Sequence, residues 1–143
     1  MPIIMENTIE RRIMWGDLDS LGIVFYPRYY EWIDACGHLF FDAIHLNLGE
    51  LWVERKLLFG LVETSCRYVR PGRYDDRIRI TTRIRELGLK TVLLEHDIRH
   101  AKDNERMVLG LEKRICMDVT RPRELKGVPI PDDIRAIFQK AMA

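Results

Sequence analysis

A strict alternation of apolar and polar residues over residues 76–86 is the clearest pattern in the chain. Ile78, Ile80, Thr82 and Ile84 share one side, and polar residues, most of them arginine, share the other. A period of two residues is typical of a β-strand with one buried face and one solvated face. Weaker forms of the pattern predict further strands over residues 8–15, 57–69, 90–100 and 106–119.

Between the first two of these strands the period lengthens, which predicts a helix from Pro27 to about Ile44. Apolar residues and one glycine recur there at steps of three and four, at Tyr30, Ile33, Gly37, Phe40, Phe41 and Ile44. Proline suits the first turn because it has no N–H group to leave unpaired. Glycine in a helix interior costs about 1 kcal/mol relative to alanine, so Gly37 indicates a close contact with a sheet.

The predicted elements follow each other as strand, helix and four strands, and Pro131 opens a final amphipathic helix. Short connections favour antiparallel pairing, and a long apolar helix has to pack against one face of the sheet. A chain of 143 residues fits one domain, over residues 1–143. The sequence therefore predicts a single α+β domain.

Composition argues against several kinds of partner. The chain has 23 basic and 22 acidic residues, without the basic surplus that nucleic-acid binding needs. No stretch reaches the roughly 18 apolar residues of a membrane span, and the N-terminus is too acidic for a signal peptide, so a cytoplasmic location is expected. The cysteines have no metal-ligand spacing, so we predict no metal or cofactor. We interpret them as free, mostly buried thiols: Cys36, Cys66 and Cys116.

The arginines of residues 76–86 have oppositely charged neighbours in the adjacent strand patterns. Cross-strand charge pairs on a solvated face explain these arginines better than a polyanion site does. The residues assigned to that face are Glu95, Asp97, Arg99, Glu112 and Arg114. His96 shares the apolar side of its strand pattern, so we interpret it as a hydrogen-bonded core histidine rather than a catalytic base.

The loop before the predicted helix contains the candidate chemistry, because Asp17 and Asp19 lie there beside glycines. The first N–H groups of a helix lack partners inside it, so the amides of Tyr26, Arg28 and Tyr29 could hold a developing oxyanion. A carboxylate nearby is either a helix cap or a reagent. Asp19 precedes Tyr26 by seven residues, which counts against a cap but leaves both interpretations open.

The run D-x-D-x-x-G-x-V-F-Y-P-x-Y over residues 17–29 resembles the motif of hotdog-fold acyl-CoA thioesterases of the 4-hydroxybenzoyl-CoA thioesterase type. The likeness covers most of residues 8–118 and continues in short fragments, WIDA at 32–35, VER at 53–55, SC at 65–66, YDD at 74–76 and KT at 90–91. It implies a hotdog fold, in which a curled antiparallel five-stranded sheet wraps around one long central helix. It also implies hydrolysis of an aryl thioester such as 4-hydroxybenzoyl-CoA to the free acid and CoA.

The same resemblance assigns roles to residues of the motif. The second aspartate of the family's motif is catalytic, so that role falls on Asp19, as a nucleophile or as a general base. The backbone N–H of Tyr26 is expected to polarise the thioester oxygen. Asp17 is expected to organise the loop and to support substrate binding.

For the substrate, the resemblance matches Asp34 to an aspartate that contacts the aryl hydroxyl group. A looser alignment places Trp52 in the acyl pocket. Lys90, which Thr91 follows, matches the basic region that binds the CoA phosphates.

The chain departs from the family at residues 88 and 89, where glycine and leucine stand in place of arginines. The phosphate contact is therefore expected to shift to another subunit or to Arg121, Arg123 or Lys126. Hotdog proteins bind substrate between subunits, so a homodimer or homotetramer is expected.

Three alternatives stay open. Short-chain acyl-CoA thioesterases of the Tol-Pal-associated type share the aspartate motif, but they usually have a histidine soon after it, where this chain has Tyr26, Pro27 and Arg28. A non-catalytic acyl-CoA-binding protein could keep the fold, although the intact Asp19 argues against it. A hotdog dehydratase would need a histidine with an acidic partner in its active site, and the sequence shows no such motif.

Overall fold

The computed structural model describes residues 3–142. Its strands and helices are β1 Asn7–Arg12, α1 Pro27–Ala43, α2 Leu48–Glu50, β2 Leu57–Tyr68, β3 Arg77–Leu87, β4 Thr91–His100, β5 Arg106–Asp118, β6 Lys126–Gly127 and α3 Asp132–Met142. The strands join in one antiparallel sheet in the order β1-β3-β4-β5-β2, and β6 pairs with β5. A π-helical turn, Leu51–Arg55, leads into β2. The predicted domain also included residues 1, 2 and 143, which lie outside the described residues.

The five main strands and the long helix confirm the predicted α+β architecture of a curled sheet around one helix. Two details differ from the prediction. The first strand ends at Arg12 because Trp15–Asp17 form a 3-10 turn, which the Asp17 N–H closes on the Met14 carbonyl at 3.0 Å. The two-residue strand β6 lies between the last predicted strand and the final helix, where the sequence pattern predicted no strand.

Helix α1 packs on the inner face of the sheet over a wider stripe than the sequence predicted. The predicted residues Ile33, Gly37, Phe40 and Phe41 are buried, whereas Tyr30 is only partly buried. Three unpredicted positions, Tyr29, Trp32 and Cys36, are buried as well. Residues 68–72 cover this side of the helix: the Gly72 N–H donates to the Tyr29 hydroxyl at 3.2 Å, and the Tyr29 and Tyr68 rings lie 5.8 Å apart.

The predicted charge pairs form on the outer face of strands β3 to β5. Arg83 donates to Glu95 across β3 and β4 at 2.6 Å. Asp97 accepts from Arg99 at 2.9 Å and from Arg106 at 3.0 Å. These contacts confirm the interpretation for the outer side of the sheet.

Glu112 and Arg114 contradict that interpretation, because both face the helix and are 1% and 4% exposed. Residues 112–114 of β5 are all charged, so the sequence gives no apolar alternation that would show which ones point inwards. The fully buried His96 confirms the prediction of a hydrogen-bonded core histidine: its Nδ1 lies 2.7 Å from Thr82 Oγ1 and its Nε2 2.7 Å from Glu112 Oε1.

Within residues 3–142 the structure has no helix that combines the length and apolar character needed to cross a membrane.

Candidate active site

Asp17 lies buried within the loop that precedes α1. Its Oδ2 accepts the Met14 N–H at 2.8 Å, and its backbone carbonyl accepts the Phe25 N–H at 2.8 Å. The guanidinium Nε of Arg28 approaches its Oδ1 to 3.6 Å. Asp17 therefore links both ends of the loop and the first turn of the helix, through its side chain to Met14 and Arg28 and through its backbone carbonyl to Phe25.

Asp19 is the more accessible of the two aspartates. Its Oδ1 accepts the Leu21 N–H at 2.8 Å, and its backbone carbonyl accepts the Gly22 N–H at 3.0 Å. Gly22 has a φ of +75°, in the left-handed region that glycine adopts without strain. The tight turn fixes the carboxylate through one oxygen. The other oxygen has no hydrogen bond to any described residue.

The start of α1 offers one unpaired amide rather than three. The Arg28 N–H donates to the Phe25 carbonyl at 2.9 Å and the Tyr29 N–H to the Tyr26 carbonyl at 3.1 Å, so those two amides are not available, contrary to the prediction. The Tyr26 N–H makes no hydrogen bond with the described part of the chain, and no side chain caps the helix. This free donor lies at the positive end of the helix dipole.

Asp19 and Tyr26 line the same cavity, which has a volume of about 380 Å³ and is formed by residues within 19–29 and 68–72. Sequence reasoning missed the second segment, which contributes Tyr68 and Arg70. Asp19 also borders a second cleft of about 510 Å³, together with Trp15 and Tyr74. Asp19 is therefore shared by two depressions of the surface.

The other predicted substrate residues lie apart from this cavity. Asp34 is two turns along α1, where its Oδ1 accepts from Arg114 at 2.7 Å. Trp52 is about half-exposed in the π-helical turn before β2.

Lys90 and Thr91 lie at the β3–β4 turn, next to the residues that follow β5: a Cβ on Gly127 would lie 3.9 Å from Lys90 Cδ. Lys90 and the predicted substitute Lys126 thus share one end of the sheet.

The family model of the thioesterase-like superfamily matches residues 13–138. The chain belongs to this family. It is 26% identical to the 4-hydroxybenzoyl-CoA thioesterase of Pseudomonas sp. strain CBS-3, over 88% of this chain and 92% of that protein. It is 21% identical to a 1,4-dihydroxy-2-naphthoyl-CoA hydrolase of Thermosynechococcus vestitus, over 92% of this chain and 88% of that protein.

Among solved structures, a gentisyl-coenzyme A thioesterase is similar with 33% identity and a TM-score of 0.77, over 93% of this chain and 99% of that one. The membership and these relatives make the protein a hotdog-fold thioester hydrolase. The resemblance noted in the sequence is thereby confirmed at the level of family and fold.

The cysteines of this thioesterase are poorly suited to nucleophilic attack. Burial raises the pKa of Cys36 to about 11 and the pKa of Cys66 to about 11, and it also raises the pKa of Cys116. A thiol with such a pKa is almost entirely protonated at neutral pH, and the thiolate is the reactive form. Burial likewise raises the pKa of Tyr29 to about 12, so its hydroxyl stays neutral beside the cavity.

A buried polar chain behind Asp34 is the feature that sequence reasoning missed. Arg114 Nη2 donates to Asp34 Oδ1 at 2.7 Å and to Glu112 Oε2 at 2.9 Å, and Glu112 continues to His96. Gly37 was the one signal of these buried polar residues in the sequence. The close contact predicted for Gly37 is with Glu112, because a Cβ at residue 37 would lie 2.7 Å from Glu112 Oε1. Within residues 3–142 no group of three or more His, Cys, Asp or Glu side chains is arranged to hold a metal ion.

Proposed function

We propose that this thioesterase hydrolyses an aryl-CoA thioester, such as 4-hydroxybenzoyl-CoA, to the free acid and CoA. The observation that carries the proposal is the cavity lined by both Asp19, one of whose carboxylate oxygens is free, and Tyr26, whose backbone amide is unpaired among the described residues. Acyl transfer needs a group that attacks or activates water and a donor for the oxyanion, and this pair supplies both.

In the proposed mechanism the Tyr26 N–H donates to the thioester oxygen, where negative charge develops. Asp19 acts in one of two ways. As a nucleophile, its free oxygen attacks the carbonyl carbon, the C–S bond breaks, CoA leaves as the thiolate, and water then hydrolyses the mixed anhydride. As a general base, it takes a proton from a water molecule that attacks the same carbon directly, the C–S bond breaks, and the proton passes to the departing CoA thiolate. Neither route consumes the carboxylate.

A hydroxylated aromatic acyl group is supported by Asp34 and by the relatives. The proteins that the chain resembles are named for 4-hydroxybenzoyl-CoA, 1,4-dihydroxy-2-naphthoyl-CoA and gentisyl-CoA. Each of these acyl groups carries a ring hydroxyl. A carboxylate beside an alkyl chain would be costly without a donor, whereas a phenol gives it a charge-assisted hydrogen bond.

The proposed site lies between subunits of a homodimer or homotetramer. Seven residues separate Pro27 from Asp34, which corresponds to ~10 Å along the helix axis. An aryl group bound at the start of α1 in one protomer would therefore contact the Asp34 of a neighbouring protomer more readily than the Asp34 of its own protomer. We propose that Trp52 lines the acyl pocket and that Lys90 and Thr91, with the basic residues near Lys126, hold the CoA phosphates. The cytoplasmic location stays a prediction.

A panel of CoA thioesters with a free-thiol readout tests the proposal. We expect 4-hydroxybenzoyl-CoA to be hydrolysed with a higher kcat/KM than benzoyl-CoA and hexanoyl-CoA. A preference for hexanoyl-CoA would support the short-chain alternative, and no thiol release from any substrate would support a binding protein. A dehydratase is disfavoured because His96, which does have an acidic partner, is fully buried.

A further inference from the structure

We propose that Arg114 is a positioning residue for substrate specificity: it holds one carboxylate oxygen of Asp34 and thereby presents the other to a hydroxyl group of the acyl moiety. This inference rests on the proposed aryl-CoA thioesterase function and names the element that makes its specificity possible. Arg114 lies on β5, eighty residues from Asp34 in the sequence, and the fold brings the two side chains together.

The Arg114 guanidinium is held in place on several sides. It is 4% exposed, its Nη2 bridges Asp34 Oδ1 at 2.7 Å and Glu112 Oε2 at 2.9 Å, and its Nη1 donates to the Phe59 carbonyl at 3.3 Å. A planar guanidinium with fixed donors can make this set of contacts, whereas a lysine amine cannot make all of them from one nitrogen.

The contacts continue behind Arg114 into the core. Glu112 is 1% exposed, and its Oε1 lies 2.7 Å from His96 Nε2. The opposite ring nitrogen of His96 lies 2.7 Å from Thr82 Oγ1. Arg114, Glu112 and His96 each have partners on both sides, so the Arg114 guanidinium has little freedom to move.

Helix α1 leaves space for the Glu112 and Arg114 side chains at Gly37. A Cβ on residue 37 would lie 2.7 Å from Glu112 Oε1 and 3.6 Å from Arg114 Nη2. Glycine at this position costs about 1 kcal/mol of helix stability relative to alanine, and it gives the carboxylate its space.

The charges leave Asp34 as the open end. Arg114 contacts two carboxylates, those of Asp34 and Glu112, so its single positive charge is shared between them. The Asp34 side chain is 50% exposed, and its Oδ2 has no hydrogen bond within residues 3–142. His38 Nε2 lies 3.7 Å from the Oδ1 that Arg114 already holds. The geometry therefore leaves an oriented acceptor, which favours a ligand with a hydroxyl donor.

The test measures the hydroxyl preference, which is kcat/KM for 4-hydroxybenzoyl-CoA divided by kcat/KM for benzoyl-CoA. Arg114→Lys keeps the positive charge but loses the bridging geometry, and we expect the preference to fall about 5-fold or more. In an Asp34→Ala background, Arg114→Lys should cause no further change, because Arg114 acts through Asp34. Arg99→Lys, which alters an Arg–Asp pair on the outer face of the sheet, is the matched control and should leave the ratio unchanged.

If Arg114→Lys does not fold, the double variant Glu112→Gln/Arg114→Met serves instead, because it removes both buried charges together and leaves neither unpaired. A folded variant that keeps the wild-type hydroxyl preference overturns the inference. A wild-type protein that shows no preference between the two CoA thioesters overturns it as well. If the wild type releases no thiol from either ester, the proposed function fails first. Hydrolysis with a preference that Arg114 does not affect rejects only the role of Arg114.

Discussion

Glu112 occupies the space that a side chain on Gly37 would need, because a Cβ at residue 37 would lie 2.7 Å from Glu112 Oε1. Alanine normally stabilises a helix interior by about 1 kcal/mol relative to glycine. Here overpacking is expected to cost about 1–3 kcal/mol and to disturb a buried ion pair, so Gly37→Ala should lower the free energy of unfolding. Urea unfolding measures this change.

Gly16→Ala is the control for that substitution. A Cβ on Gly16 has nothing within 4 Å, and the residue has no positive φ, so this variant should change stability little. A Gly37→Ala protein as stable as the wild type would show that the carboxylate moves aside at no cost.

Much of the fold could be predicted because its main signals are local. The alternation in β3 and the three- and four-residue steps in α1 specify which faces are buried. The orientation of Glu112 and Arg114 could not be predicted, since three consecutive charged residues in β5 have no apolar face and the ion pairs that decide their direction come from distant segments.

The candidate site divides in the same way. Asp19 and Tyr26 lie seven residues apart in one motif, so their shared cavity could be expected. Tyr68 and Arg70 reach that cavity from the end of β2 through the strand pairing of the whole sheet. Of the three predicted amides only that of Tyr26 is unpaired, and this depends on how the loop folds back. The spacing of the residues in the sequence does not reveal it.

Asp19→Asn should keep the fold and lose most thioesterase activity. The substitution preserves shape and the Leu21 contact at Oδ1, but it removes the nucleophile or general base, so kcat should fall about 100-fold or more. Steady-state kinetics on the best substrate, with a melting curve for each protein, measures the effect. Activity within a few-fold of wild type would reject Asp19 as the catalytic carboxylate.

Asp17→Asn should lower stability or substrate affinity more than the chemical step. Asp17 is buried, and its two oxygens face the Met14 N–H at 2.8 Å and the Arg28 guanidinium at 3.6 Å. Asparagine has only one acceptor oxygen, so one of these donors would face an NH2 group instead, which should cost about 1–3 kcal/mol. Unfolding of Asp17→Asn and Asp19→Asn side by side provides the comparison. If Asp17→Asn were the stable but inactive variant, the two roles would be reversed.

Alkaline pH should destabilise the protein through its buried thiols and Tyr29. Burial raises the pKa of Cys36 from 9.0 to about 11 and that of Tyr29 from 10.0 to about 12. Above pH 9 the unfolded chain loses these protons first, so the native state binds more protons and stability falls as pH rises. Their contribution is complete below pH 9 and is lost as pH rises through 11 and 12. Urea unfolding across this range should show the decline, with a shallower slope for Cys36→Ala.

The β2 edge should pair with a second copy of the chain. Strand β2 bonds to β5 on one side and ends the main strand order, so its other edge carries unpaired backbone groups. Leu61 and Val62 on this strand are 48% and 56% exposed, and an apolar edge with few charges invites pairing. Sedimentation at micromolar concentration should show a dimer or larger assembly. Val62→Lys should shift it towards monomer and reduce activity with it, because the proposed site lies between subunits. Met5→Lys, at an exposed residue outside the proposed site, should change neither. A wild-type monomer with full activity would contradict both the pairing and the shared site.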